Sequence, residues 1–163
     1  EEMRPGGSHV AVDHFFSTDQ FQVIHGGAGA GRSAKLELIA GMPVVQDSLR
    51  VCFKDPKFHP RSGFVVNCGF CEKCIRTIAG LMILDRLEPF NTFPARRPDD
   101  FYQKPEVLAY IKQIYLVDLI GLADRHHQPG WKQALEDALE LRRQAIRDKE
   151  ASEGSEDSES TRV

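Results

Sequence analysis

The pattern of apolar and polar positions predicts three substantial helices separated by segments rich in glycine and proline. Residues 71–87 repeat apolar side chains at helical spacing, which is typical of an amphipathic helix. Residues 105–123 are apolar around more than half of a helical circumference, so we expect this helix to be buried. Residues 131–147 place alanines and leucines on one helical face and charged residues on the opposite face. A short turn precedes them, which predicts a helical hairpin over 105–147.

The first third of the chain shows a different pattern, in which short segments alternate between apolar and polar residues. Apolar and polar residues alternate over 21–24 and over 48–53, which predicts two short strands. A short helix is predicted between them at 34–40, with Ser33 as its N-cap. We therefore predict an α/β fold that is mostly α, with short strands and a cysteine cluster in front of the helical hairpin.

Charge and composition narrow the class of protein. The chain of 163 residues carries a net charge of −3, so no excess of positive charge argues for nucleic acid or an anionic membrane. No apolar run approaches the roughly 18 residues of a membrane helix, and no secretory signal is recognised, which together predict a cytoplasmic protein. Residues 148–163 hold six acids and two bases with few apolar side chains, and they are predicted to be a disordered acidic tail.

The cysteines carry the strongest chemical signal. Cys52, Cys68, Cys71 and Cys74 form a C-x15-C-x2-C-x2-C arrangement that contains every cysteine of the chain. Clustered cysteines in a cytoplasmic protein indicate a metal before they indicate disulfides. Four thiolates suit tetrahedral Zn²⁺, and Gly69 permits the tight turn that the knuckle needs. A closed site of four cysteines leaves no position for substrate, so we expect the zinc to be structural and predict no catalytic residue.

Two alternatives for the cysteines stay open at this point. The C-x2-C-x2-C spacing also begins the ferredoxin iron–sulfur motif, but Ile78 stands where that motif has its next cysteine. Redox or disulfide chemistry is the other alternative. The nearby basic residues Arg50, Lys54, Lys73 and Arg76 could offset the −2 charge of a Zn(Cys)4 centre, or could be ordinary solvated surface.

Residues 67–77 read Asn-Cys-Gly-Phe-Cys-Glu-Lys-Cys-Ile-Arg-Thr. This stretch resembles the C-terminal zinc-bearing end of the PP-loop ATP pyrophosphatases, the group that includes 7-cyano-7-deazaguanine synthase. In that family a lone cysteine followed by a Cys-x2-Cys-x2-Cys knuckle binds a structural zinc, and the four cysteines of this chain match in the same order. The resemblance covers about residues 6–92, including the segments 32–35 and 49–52.

The resemblance implies an ATP-dependent activity for a larger enzyme. Such enzymes adenylate a carboxylate or carbonyl oxygen, release pyrophosphate and let a nucleophile displace AMP. Their N-terminal S-G-G-x-D-S loop, which holds the ATP phosphates, is absent from this sequence, and the glycine-rich stretch 26–33 lacks the Gly-Lys-Ser/Thr of a Walker A loop. Because position 1 is not Met, we expect a C-terminal segment that is inactive alone and meets ATP and a small-molecule substrate only in the full-length enzyme.

The predicted organisation has four parts. A PP-loop-like region with the zinc knuckle occupies 1–92, a linker 93–104, the helical hairpin 105–147 and the tail 148–163. The hairpin lies outside the resemblance and could pack on the missing half or form a homo-oligomer. The alternative function is a stand-alone zinc-binding interaction module for protein or nucleic acid, in which basic and aromatic residues of 53–76 form the contact surface. The near-neutral charge of the chain argues against nucleic acid.

Overall fold

The structure is a computed structural model that describes residues 9–27, 29–52, 67–93 and 100–160. Within these ranges the chain is mostly helical and contains no β-strand. The mostly-α character therefore agrees with the prediction, whereas the predicted short strands are absent from the residues that the structure describes.

The chain forms two compact units, Glu1–Gly31 and Arg32–Val163. A 3-10 helix spans Asp13–Phe16 in the first unit. The carboxylate of its first residue accepts a hydrogen bond from the backbone N–H of His9 at 2.6 Å and lies 2.5 Å from Nδ1 of His25. This buried carboxylate therefore links the two ends of the first unit's described residues.

The second unit contains six α-helices in its described residues. They are α1 (Arg32–Ile39), α2 (Pro43–Ser48), α3 (Glu72–Ile83), α4 (Pro105–Leu108), α5 (Gln113–Arg125) and α6 (Pro129–Ser160), with a 3-10 helix, Phe101–Gln103, before α4. Helix α5 packs on α6, α4 on α6, α3 on α5, and α1 on both α3 and α5. Helices on both sides of the predicted linker 93–104 therefore share one core, while residues 94–99 of that linker lie outside the described ranges.

The main core joins α3 to α4, α5 and α6. Its most deeply buried apolar side chains are Ile78, Ile83, Leu108, Ile111, Leu116, Leu122 and Leu135. Cys52, Cys68 and Cys74 belong to the same cluster. The thiols are thus part of the apolar core and not an appendage on its surface.

The strand predicted over 21–24 is wrong because the segment has no partner strand among the described residues. The backbone N–H of Val23 donates to the hydroxyl of Ser17 at 2.9 Å. Alternation of apolar and polar residues is compatible with any locally extended chain, but a strand also needs a neighbouring backbone to pair with.

The strand predicted over 48–53 is also not observed in residues 48–52, and residue 53 lies outside the described ranges. Ser48 ends helix α2, which Pro43 begins at its first position. Beyond it, the backbone N–H groups of Val51 and Cys52 both donate to a side-chain amide oxygen. A side chain has therefore taken the place of the neighbouring strand.

The helix predicted over 105–123 is two helices, α4 and α5. The backbone of Lys112 is extended, with φ −61° and ψ 144°, and this breaks the helix before α5. The carbonyl of Ala109 accepts a hydrogen bond from Arg142 at 2.9 Å, which satisfies a helix-end acceptor. The apolar pattern does not show the break because Ile111, in the connection, is as buried as its helical neighbours.

Ser33 lies inside helix α1 and is not the N-cap that its position predicted. Its backbone N–H and its hydroxyl both donate to the carboxylate of Asp118 on α5, at 2.9 and 2.6 Å. An acid from another helix thus satisfies the first turn of α1, where a negative charge is favourable.

Helix α6 runs to Ser160, past the predicted end of that helix at 147. The backbone of 148–160 is therefore helical where the acidic composition predicted disorder, and 161–163 lie outside the described ranges. A polar helix needs little burial if its side chains pair along its surface, as Gln144 does with Asp148 at 2.6 Å. None of the helices within the described residues is long and apolar enough to cross a membrane.

The shared core predicts a sharp contrast between two positions on α5. Replacing the fully buried Leu122 with Ala should lower the free energy of unfolding by about 2–5 kcal/mol through lost burial and a residual cavity. Ile114, 66% exposed on the same helix, is the matched control, and its replacement with Ala should change stability by about 0.5 kcal/mol or less. Urea unfolding followed by the fluorescence of Trp131 measures both variants, and equal losses would contradict this packing.

Candidate metal centre

The four thiols come from two segments of the second unit. Cys52 follows α2, Cys68 precedes the knuckle turn, Cys71 is the N-cap of α3 and Cys74 lies in its first turn. Gly69 has a φ of 76°, a left-handed conformation that a residue with a side chain rarely adopts. The prediction that Gly69 permits the knuckle turn is confirmed.

The sulfur atoms converge on one point. The distances between Sγ atoms are 3.5 Å for Cys71 and Cys74, 3.8 Å for Cys68 and Cys74, and 3.8 Å for Cys52 and Cys71. All four lie within 4.8 Å of one another. A tetrahedron with bonds of about 2.3 Å from ion to sulfur has edges of about 3.8 Å. The four thiols are therefore spaced to hold a single metal ion, and all four are free of disulfide bonds.

The fully buried side chain of Asn67 holds the two cysteine segments together. Its Oδ1 accepts hydrogen bonds from the N–H groups of Val51 at 2.8 Å and Cys52 at 3.1 Å. Its Nδ2 donates to the carbonyls of Leu49 at 2.8 Å and Thr92 at 3.1 Å. One amide thus uses its donor and acceptor sides to place the lone cysteine beside the knuckle.

The sequence pattern did not indicate a role for Asn67. The available signal was its position directly before the knuckle, combined with an amide that can donate and accept at once. Its partners lie between residues 49 and 92, so no local pattern identified what it would bind.

Burial and hydrogen bonding act in opposite directions on the thiol pKa values. Burial opposes ionisation of Cys68, but hydrogen bonds from the backbone N–H groups of Phe70 and Cys71 and from neighbouring thiols lower its pKa to about 7. Burial raises the pKa of Cys74 and also that of Cys71, where hydrogen bonds with Cys74 oppose part of the effect. The backbone N–H of Cys71 lies 3.4 Å from the sulfur of Cys68. The knuckle backbone thus favours negative charge on the sulfur of Cys68.

Two residues that follow α3 in the chain, Tyr102 and Lys112, contact the knuckle and the start of α3 from outside. The buried hydroxyl of Tyr102 donates to the carbonyl of Gly69 at 3.3 Å. Glu72, the first residue of α3, accepts from the backbone N–H of Lys112 at 3.5 Å. Residues well beyond the cysteines in sequence therefore support the turn that presents the thiols and the start of α3.

The structure also locates the basic residues predicted near the cysteines. Arg50 donates from Nε to the carbonyl of Cys52 at 3.2 Å. Arg76 pairs with Glu72 at 3.6 Å. Lys73 is half-buried on α3, and Lys54 lies outside the described residues.

Comparison with protein-family models, with curated proteins and with solved structures gives no match. The functional argument therefore depends on the geometry of the chain itself. In the part of the chain that the structure describes, the four cysteines are the only convergent group of three or more potential metal ligands from Cys, His, Asp and Glu. Their four soft donors suit a thiophilic metal ion.

Asn67→Ala tests whether the amide holds the metal site together. The substitution leaves the buried N–H groups of Val51 and Cys52 without their acceptor, so unfolding free energy should fall by about 2–5 kcal/mol. Zn²⁺ affinity should fall about 10–100-fold, as expected when a residue that orients a ligand is removed. The matched control is Asn91→Ala, because Asn91 is exposed and pairs with Asp47. If both variants bind Zn²⁺ like the wild type, Asn67 does not position the site.

The pKa directions predict a steep pH dependence for metal binding. Because the pKa values of Cys71 and Cys74 are raised above the ordinary thiol value of 9.0, both thiols stay protonated from pH 6 to pH 8 in the metal-free protein. Each must release a proton to bind Zn²⁺, so these two thiols alone should lower the affinity about 100-fold per pH unit on acidification, and the fall should be steeper below the pKa of Cys68. Competition with a chelator of known protonation at pH 6, 7 and 8 measures this slope. A fall of about tenfold per unit or less would contradict the raised values.

Proposed function

We propose that Cys52, Cys68, Cys71 and Cys74 bind one structural Zn²⁺, and that the chain is the zinc-stabilised C-terminal segment of a PP-loop-type, ATP-dependent enzyme. The observation that carries the proposal is the convergence of four thiols at tetrahedral spacing, in the order of lone cysteine and knuckle that the resemblance implies. The reduced thiols also suit a cytoplasmic compartment.

The spacing favours zinc over the two alternatives. An iron–sulfur cluster binds its thiolates at separate iron atoms, which requires the sulfurs to stand further apart than around one shared ion. A disulfide needs two sulfurs at about 2.05 Å, and the thiol contacts given above begin at 3.5 Å. Four protein ligands complete a tetrahedral shell, so the ion would stabilise the fold and leave no position for a reacting molecule.

The second half of the proposal assigns the chemistry to the rest of a larger enzyme. The S-G-G-x-D-S loop expected to hold ATP phosphates does not occur in this sequence. The N-terminus of α1, which follows the glycine-rich stretch, already receives the carboxylate of Asp118. The chain would therefore contribute a rigid zinc-bound wall, while ATP binding and adenylation of the substrate would take place on the remaining part.

Cys74→Ser tests the zinc site. The wild-type chain should contain one zinc per molecule, with four sulfur neighbours at about 2.3 Å by X-ray absorption. The variant should lose the zinc and melt at a lower temperature, because structural zinc contributes folding free energy directly. Wild-type protein treated with a chelator is the matched control and should melt at the same lower temperature. Unchanged metal content and melting in Cys74→Ser would refute the assignment, and the visible absorbance of an iron–sulfur cluster would replace it.

The assignment to an ATP-dependent enzyme has a separate test. Reading the gene upstream of Glu1 should reveal an in-frame S-G-G-x-D-S motif, and the longer protein should release pyrophosphate from ATP when this chain alone does not. ATP turnover by this chain alone, with its knuckle cysteines replaced, would overturn the assignment. A stop codon directly before Met3 would instead favour the stand-alone interaction module.

A further inference from the structure

A cavity of about 350 Å³ in the second unit gathers four cationic side chains. Arg32 comes from α1, Arg50 from the segment that leads to Cys52, and Lys73 and Arg76 from α3. Asp118 is the only carboxylate among the described lining residues. The lining therefore holds four cations and one carboxylate, although the chain as a whole carries a net charge of −3.

The single carboxylate does not pair with these cations. Both oxygens of Asp118 accept hydrogen bonds from Ser33, one from the backbone N–H at 2.9 Å and one from the hydroxyl at 2.6 Å. This arrangement uses the acid to satisfy the first turn of α1. Asp118 therefore does not offset Arg32, while Arg76 is offset in part by Glu72 on its own helix, at 3.6 Å.

Two of the cations converge on one aromatic ring. The guanidinium carbon of Arg76 lies 4.1 Å from the ring centroid of Tyr115, and that of Arg32 lies 5.5 Å from it. Burial raises the pKa of Tyr115, but the two guanidinium groups outweigh it and lower the pKa. Two like charges around one ring repel each other, and an anion placed between them would remove that repulsion.

Apolar side chains form the remaining wall of the cavity. They are Leu36, Ile39, Leu49, Val51 and Leu119. The volume falls at the lower end of the range of small-molecule sites, about 300–1,000 Å³. A ligand that satisfies both parts of the lining must carry a negative group and an apolar body of modest size.

We propose that this cavity binds a small organic phosphate, with the phosphate between Arg32 and Arg76 and the apolar body against the leucine and valine wall. Guanidinium groups match phosphate oxygens in pairs, and a doubly charged phosphate balances more of the surrounding cations than a carboxylate does. The concave shape selects a small molecule over a polymer. The proposal depends neither on ATP chemistry nor on the identity of the metal.

The test uses the whole zinc-loaded chain and phenyl phosphate as the probe in isothermal titration calorimetry. Phenol, which lacks the charge, and inorganic phosphate, which lacks the apolar body, are the comparison ligands. Phenyl phosphate should bind at least about tenfold more tightly than either, because charged hydrogen bonds and apolar burial both contribute.

Arg32→Gln is the informative variant because Arg32 is distant in sequence from the cysteines and lines the cavity. It should weaken phenyl phosphate binding about tenfold or more, the effect of losing one charged hydrogen bond. Arg86→Gln is the matched control, since Arg86 is exposed, is not among the lining residues and undergoes the same change of charge. Its affinity should stay within about twofold of the wild type. Zinc content measured on each variant separates loss of the cavity from loss of the metal.

Three outcomes would overturn the proposal. Absence of phenyl phosphate binding to the wild type removes the site. Equal weakening in Arg32→Gln and Arg86→Gln, with zinc retained, means that net charge and not the cavity attracts the anion. Binding of phenol or of inorganic phosphate as tightly as phenyl phosphate means that one half of the lining contributes nothing.

Discussion

Four thiols can bind one ion only if the two segments that carry them, which are distant in sequence, are held at sulfur–sulfur contact distance. In this chain the constraint is met by the buried amide of Asn67, which lies directly before the knuckle and binds the backbone that leads into Cys52. The amide satisfies the N–H groups of Val51 and Cys52 and the carbonyl of Leu49, and it adds a second hydrogen bond to the carbonyl of Thr92, which also accepts from the backbone N–H of Asn67. The thiol geometry therefore depends on hydrogen bonds made by one amide and the backbone, which do not involve the sulfur atoms.

The thiols are also inseparable from the hydrophobic core. Cys74 and Ile78 stand one turn apart on α3, and both are almost completely buried in one cluster with residues of α5 and α6. Helix α3 thus provides two of the four thiols at its N-terminal end, and its following turns pack into the hydrophobic core. Any ion bound by the thiols would stabilise the packing of α3 directly, so that its binding free energy becomes folding free energy.

Local signals explain what the sequence could predict. The cysteine spacing and the left-handed turn at Gly69 involve neighbours within a few residues, so the residue types themselves carry the information. The role of Asn67 was not predictable because its partners extend to Thr92. Alternation over 48–53 indicated a strand because a pattern of side chains does not report what the backbone pairs with. The break between α4 and α5 left no trace because Ile111 remains buried across it.

The basic residues around the cysteines can now be divided by what they face. A zinc ion with four thiolates would carry a charge of −2. Compensation of this charge is an electrostatic reason for the positions of Arg50 and Lys73, which lie next to the cysteines in sequence. That reason does not extend to Arg32, which comes from α1 and lies against the ring of Tyr115. Its position brings a second guanidinium towards Arg76, against their mutual repulsion. Compensation of a bound metal's charge would account for the cations beside the cysteines, and an anion in the cavity would account for the one that lies apart from them.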